Sequence, residues 1–118
     1  AVAARLDWSI DTHAGLAAAI DRDDLTEALG NLIENAARFA RSRVTIAARK
    51  VASSIEITIT DDGEGFPPDK VGEVLQRGRR LGLAIVSEIA EAWSARFDLA
   101  PSDSGVTARL TIPAAIPR

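Results

Sequence analysis

The chain has 118 residues, 47% of them hydrophobic, 26% charged and only 4% aromatic, with a formal net charge of −3. That length and balance suit one compact domain with an aliphatic core, and the mild acidity counts against a nucleic-acid surface, which is usually basic. There is no cysteine, hence no disulfide and no thiolate metal site, and no apolar run is long enough to cross a membrane.

Val2 to Ile10 reads as a strand, with Leu6, Trp8 and Ile10 alternating against Arg5, Asp7 and Ser9. Asp11 to Gly15 reads as a turn carrying the lone His13, and Leu16 to Ile20 as a second short strand. Asp21-Arg22-Asp23-Asp24 supplies helix-start chemistry, because carboxylates cap free N–H groups and favour the positive end of the helix dipole. A helix then runs from Leu25 to Phe39. Its period puts Leu25, Leu29, Leu32, Ile33, Ala36 and Ala40 on one face and Asn31, Asn35 and Arg38 on the shoulder, with Glu34 pointing away. Val44 to Ala48 is a strand and Lys50 to Ser54 a turn. Ile55, Ile57 and Ile59 alternate with Glu56, Thr58 and Thr60 in a further strand that ends at Asp61-Asp62-Gly63-Glu64-Gly65-Phe66-Pro67. Val71 to Gln76 suggests a short helix, and Gln76 to Arg80 is basic. Leu81 to Trp93 has helical periodicity, and Phe97 to Ala100 and Val106 to Ile112 are two more strands. Strands, helix, strands, helix, strands is the order of an α+β sandwich, with helices on one face of a mixed sheet.

Three polar features ask for an explanation. Asparagine is a poor helix former, yet Asn31 and Asn35 lie one turn apart inside an apolar helix. An amide oxygen is a hard, neutral ligand of the kind Mg²⁺ accepts, and Arg38 one turn on could pair with phosphate; two solvated asparagines beside a surface arginine explain the same pattern. At the strand end, Asp61 could accept a hydrogen bond from an exocyclic amine such as that of adenine. Gly63 and Gly65 would let the backbone approach the ring and adopt positive φ, although Asp-Gly is also an ordinary turn dipeptide. Gly82 at a helix start would let phosphate approach free N–H groups, or simply begin a buried helix. His13 has no second histidine or cysteine to form a metal site, and a surface turn accounts for it.

The order of these motifs is more specific than any one of them. Asn31-Leu32-Ile33-Glu34-Asn35-Ala36, then Asp61-Asp62-Gly63-Glu64-Gly65, then Leu81-Gly82-Leu83-Ala84-Ile85-Val86, then Gly105-Val106-Thr107 leading to Pro113, resembles the catalytic ATP-binding domain of sensor histidine kinases. These belong to the gyrase, Hsp90, histidine kinase and MutL superfamily. The resemblance runs from Leu6 to Pro113. It implies a two-layer α/β sandwich of the Bergerat type with ATP held under a mobile lid. It also implies that Asn35 holds Mg²⁺, with Asn31 and Arg38 near the phosphates and Phe39 near the sugar or base. Asp61, with Gly63 and Gly65, would receive adenine, Gly82 and Leu83 would belong to the second glycine box, and Thr107 would support adenine through water. ATP-hydrolysing members of the superfamily carry a glutamate where this chain has Asn31, and a neutral amide cannot take a proton from water. Steady hydrolysis is therefore disfavoured, which suits a kinase.

The sequence departs from the family pattern in one place. Val74-Leu75-Gln76-Arg77-Gly78-Arg79-Arg80 resembles the phenylalanine-box segment, with Leu75 in place of Phe, but Arg80 runs straight into Leu81-Gly82-Leu83. Family members carry a longer stretch here, including the first glycines of the second box, so the lid is shortened or missing between 80 and 81. This leaves Arg77, Arg79 and Arg80 as candidate phosphate contacts only. The chain opens on Ala1, which we read as a fragment of a larger kinase or a chain without its natural start.

On this reading residues 1–118 form a single domain that binds Mg-ATP. In the intact protein it passes the γ-phosphoryl group to a histidine of a separate dimerisation domain, and a response regulator is served indirectly. No nucleic acid is involved, the fragment is a monomer that does not autophosphorylate alone, and the parent is a homodimer anchored in the bacterial inner membrane with this domain in the cytoplasm. The alternatives are a protein serine kinase of the anti-sigma type and a degenerate, nucleotide-free protein-binding module.

Overall fold

The computed structural model describes residues 6–73, 82–102 and 104–115. Five strands form one sheet: β1 (Asp7–Thr12), β2 (Arg43–Val51), β3 (Ser54–Asp61), β4 (Arg96–Ser102) and β5 (Gly105–Pro113), in the spatial order β1-β2-β3-β5-β4. Only β1 and β2 run parallel; every other neighbouring pair is antiparallel. Two helices, α1 (Arg22–Phe39) and α2 (Leu83–Ala92), cover one face, and a 3₁₀ turn (Pro68–Lys70) precedes a helical stretch at 71–73. This is the expected mixed sheet with helices on one side.

Alternation along β3 decides what each face of the sheet does. Ile55, Ile57, Ile59 and Asp61 point into the layer under the helices, opposite Ile112, Leu110, Ala108 and Val106 of β5. With Val44, Leu32, Ala28, Leu83 and Val86 they make one aliphatic core. The other face is polar. Arg49, Glu56, Arg109 and Asp98 form a ladder of ion pairs across β2, β3, β5 and β4, at 3.1 Å, 3.9 Å and 3.5 Å.

α1 begins earlier than its apolar pattern suggests. Asp21 caps it, its carboxylate accepting from the N–H groups of Asp23 (3.0 Å) and Asp24 (3.2 Å), so the polar first turn from Arg22 is already helical. Its buried residues are Ala28, Leu32, Asn35 and Ala36. The buried stripe is thus rotated towards the asparagines: Asn35 sits within it, while Leu25, Leu29 and Ile33 are only partly buried. α2 lies antiparallel to α1. Gly82 at its start meets Asn31, and Trp93 at its end donates from Nε1 to Asp24 Oδ2 (2.8 Å) near the start of α1.

The strand expected at Leu16 to Ile20 does not form. That segment makes a single bridge, Ala18 to Ala114, and the alternation of Leu16, Ala18 and Ile20 reflects a loop leaning its apolar side on the core. The turn between β2 and β3 is also tighter than expected, because pairing extends to Val51 and Ser54 and leaves Ala52 with φ +54°. Residues 74–81 lie outside the described residues, and with them the phenylalanine-box segment, Arg77, Arg79 and Arg80.

Candidate nucleotide site

Asp61 is the last residue of β3 and is 3% exposed; Asn35, three turns into α1, is 7% exposed. They are 26 positions apart in sequence and line the same narrow recess, whose free space is about 10 Å³, little more than one water needs. Its walls are Leu32 and Ala36 of α1, Leu83 of α2, Ile59 of β3, Leu99 of β4, and Val106 and Ala108 of β5. These walls are apolar apart from one buried carboxylate and one buried amide, the few convergent polar groups that a binding recess uses to orient a ligand.

Two glycines hold the backbone tight around Asp61. A Cβ on Gly63 would run into the carbonyl of Phe39, and one on Gly105 would run into the carbonyl of Asp61 itself. Gly63 N–H donates to Asp61 Oδ1 at 3.0 Å, which fixes the carboxylate's rotamer. The expectation of positive φ at Gly63 is not met: glycine is needed there for space. The left-handed glycines of the site are Gly82 (φ +88°) and Gly105 (φ +137°), and the second was not anticipated as a site residue. Gly65 does not line the recess; it lies in a separate open groove with Glu64, Phe66, Pro67 and Pro68.

On α1, Asn35 Nδ2 donates to the Asn31 carbonyl and Asn31 Nδ2 to the Glu27 carbonyl, both at 2.9 Å. These back-bonds orient both amides by their nitrogens. Asn31 Oδ1 is directed at Gly82, so closely that a Cβ there would collide with it. Arg38 does not stand apart from Glu34 as the helical wheel suggests. Its Nη2 lies 3.7 Å from Glu34 Oε1, an exposed i,i+4 pair worth little to stability. Phe39 closes α1 with its carbonyl against Gly63.

Thr107 is not brought to the recess. Its neighbours Val106 and Ala108 line the slot, so alternation turns Thr107 to the opposite face, where its hydroxyl and that of Thr60 are hydrogen-bonded at 3.0 Å. The position facing Asp61 across the ladder is Val106, which the pairing of an inward Asp61 with β5 could have revealed.

Asp62 has a separate task. Its Oδ1 accepts from the N–H groups of Arg41 (2.9 Å), Ser42 (3.0 Å) and Arg43 (3.0 Å), and its Oδ2 from Ser42 Oγ (2.6 Å). The Ser42 hydroxyl and these backbone donors hold its pKa well below the usual carboxylate range.

Among the described residues no group of three or more His, Cys, Asp or Glu is arranged to hold a metal. A single neutral amide such as Asn35 suits a cation that keeps waters and phosphate oxygens in its shell, and that arrives with its phosphate.

Residues 20–116 match the family described as "Histidine kinase-, DNA gyrase B-, and HSP90-like ATPase". Two curated relatives come from Pseudomonas aeruginosa. The chain is 37% identical to the sensor protein kinase CarS, over 86% of this chain and 24% of CarS, and 31% identical to the two-component sensor PhoQ, over 86% of this chain and 25% of PhoQ. It therefore spans about a quarter of the length of these relatives. Among solved structures, the mycobacterial sensor histidine kinase MprB superposes with a TM-score of 0.80 at 23% identity, covering 94% of this chain and 83% of that one. The catalytic domain of the histidine kinase ThkA, in a nucleotide-free form, superposes at 0.83 and 19% identity, covering 92% and 78%.

Proposed function

This chain belongs to the histidine kinase-, DNA gyrase B- and HSP90-like ATPase family, and from that premise we propose that it is the Mg-ATP-binding catalytic domain of a sensor histidine kinase. The observation that carries the reading is that Asp61 and Asn35 line one apolar recess. On this reading the recess, which is narrow as it stands, opens to take adenine, whose exocyclic amine would donate to Asp61. The sugar and phosphates then run along α1 towards Asn35, Asn31 and the start of α2 at Gly82. Asn35 would hold Mg²⁺ brought in with the phosphates, and the ion would neutralise part of their charge. Arg38, about one turn beyond Asn35 on α1, would add a cation at that end on leaving Glu34.

Catalysis in such a site is positioning and electrostatics. The γ-phosphoryl leaves ADP and forms a bond to an imidazole nitrogen contributed by another domain. Asn31 has no basic atom with which to activate water, so the phosphoryl group is kept for that acceptor. The parent protein is proposed to be a homodimer anchored in the bacterial inner membrane, with this unit in the cytoplasm. On the same reading the lid is shortened or missing between 80 and 81.

The test is calorimetric titration with ADP and a non-hydrolysable ATP analogue, with and without Mg²⁺, for the wild type and Asp61→Asn. Micromolar binding that is lost in the variant supports the reading. A wild type that binds neither nucleotide, even with a family-length lid restored, defeats it and leaves the protein-binding module as the better account.

A further inference from the structure

Neighbouring carboxylates Asp61 and Asp62 face opposite ways. Asp61 enters the recess, whereas Asp62 gathers the N–H groups of Arg41, Ser42 and Arg43 and the Ser42 hydroxyl, four donors on one side chain. Its own N–H donates to the Arg43 carbonyl at 3.3 Å. One residue further, Gly63 is pressed against the Phe39 carbonyl. One residue earlier, Asp61 is paired in register with Val44. Three consecutive residues, 61 to 63, are therefore tied to the span 39–44 that leaves the end of α1.

Through these hydrogen bonds that span gives a route between the two anchors of the site far shorter than the covalent one, which runs the length of β2 and β3. Asn35 sits one turn before Phe39 on α1, and Asp61 is adjacent to Asp62. Apart from the knot, the connection is held by the Ala40 N–H to the Ala36 carbonyl and by Asp7 of β1, whose N–H donates to the Ser42 carbonyl at 2.7 Å; the side chains of 41–43 are exposed. We infer that Asp62 is a positioning residue for nucleotide binding: by tying residues 41–43 to the glycine loop it sets the distance between the base anchor Asp61 and the phosphate-end anchor Asn35. The inference rests on the nucleotide reading above. An ionised carboxylate suits the task because all four of its partners are donors. An asparagine would turn an NH₂ group towards some of those N–H groups.

A residue that only stabilised the fold would affect every ligand of the site alike, whereas one that sets a spacing affects ligands that span it. On the proposed pose the phosphates of ADP would meet Asn35 through Mg²⁺, a contact that adenosine, which lacks them, does not make. The experiment measures the affinity of the full chain for Mg-ADP and for adenosine, in the wild type, Asp62→Ala and Ser42→Ala, at a temperature where circular dichroism shows each folded. In Asp62→Ala we expect Mg-ADP affinity to fall about tenfold while adenosine stays within about twofold. Ser42→Ala, which removes one donor of four, should shift the same ratio less. Should Asp62→Ala not fold, Asp62→Asn and Ser42→Ala carry the comparison. An unchanged ratio of the two affinities, whether both ligands weaken together or neither does, overturns the positioning role. A wild type that binds neither ligand is a different result, because it removes the nucleotide reading and this inference with it.

Discussion

Gly82 and Asn31 are in direct apposition: the first residue of the α2 cap lies so close to the Asn31 amide that any β-carbon would displace it. Gly82 is also left-handed, at φ +88°. Gly82→Ala should cost about 1 kcal/mol from the left-handed backbone alone, and more from the collision. The second part should shrink in the Asn31→Ala background, because the amide is then gone and only the β-carbon, 3.2 Å from the added one, remains. A double-mutant cycle by urea unfolding measures this, and strictly additive effects would show that the two residues do not press on each other.

Asn35 offers a different readout. Asn35→Ala places a better helix former in α1, so the fold should survive. Nucleotide affinity in the presence of Mg²⁺ should drop about tenfold, the order of one lost bond to a charged group, while affinity without Mg²⁺ should change little. Equal losses with and without the ion would mean that Asn35 serves the nucleotide and not its cation.

At the far end of the helical layer, Trp93 donates to Asp24 at 2.8 Å. Trp93→Phe keeps most of the ring's packing and removes the donor. We expect a loss of about 1 kcal/mol, seen as a melting temperature lower by about 4 °C. Asp24→Asn, which retains an acceptor oxygen, should lose less.

The depressed pKa of Asp62 gives a pH prediction. A carboxyl whose pKa is lower in the folded than in the unfolded state contributes stability in full above its unfolded pKa, about 3.9. That contribution declines as pH falls below this value towards the folded pKa. The stability gap between wild type and Asp62→Asn should thus be constant from neutral pH down to about 5 and narrow below about 4. Thermal melts across that range check it, and a gap that widens with acidification would contradict the assignment.

Much of the architecture could be read from residue order because local and global preferences agree. Ile55, Ile57 and Ile59 alternate along a strand with one face buried, and Asp21 caps the helix where its side chain predicts. The errors share a cause, which is contacts between segments distant in sequence. Leu16 to Ile20 looks like a strand because one side of a loop is apolar. Asn35 looks like a shoulder residue because the helical wheel does not know that α2 and β3 lie over that side. Thr107 attracts attention as the polar residue of its strand. Its face is set by register: Asp61 opposes Val106, so Thr107 opposes Thr60 on the outer surface. Asp62 shows nothing in one dimension that separates it from Asp61, since its partners lie about twenty positions earlier.

The recess draws its walls from α1, β3, α2, β4 and β5, with Leu32 and Ala108 at the two extremes of the sequence it uses. Its walls meet only through contacts between segments far apart in the chain, so the recess is a property of the assembled domain and of no fragment of it. A ligand that fills it binds the native state and not the unfolded chain, and so raises the melting temperature of the entire domain by mass action. Thermal shift with a panel of purine and pyrimidine nucleotides would thus report on occupancy without any kinase substrate. Resistance to proteolysis at exposed segments such as 40–43 should rise with it.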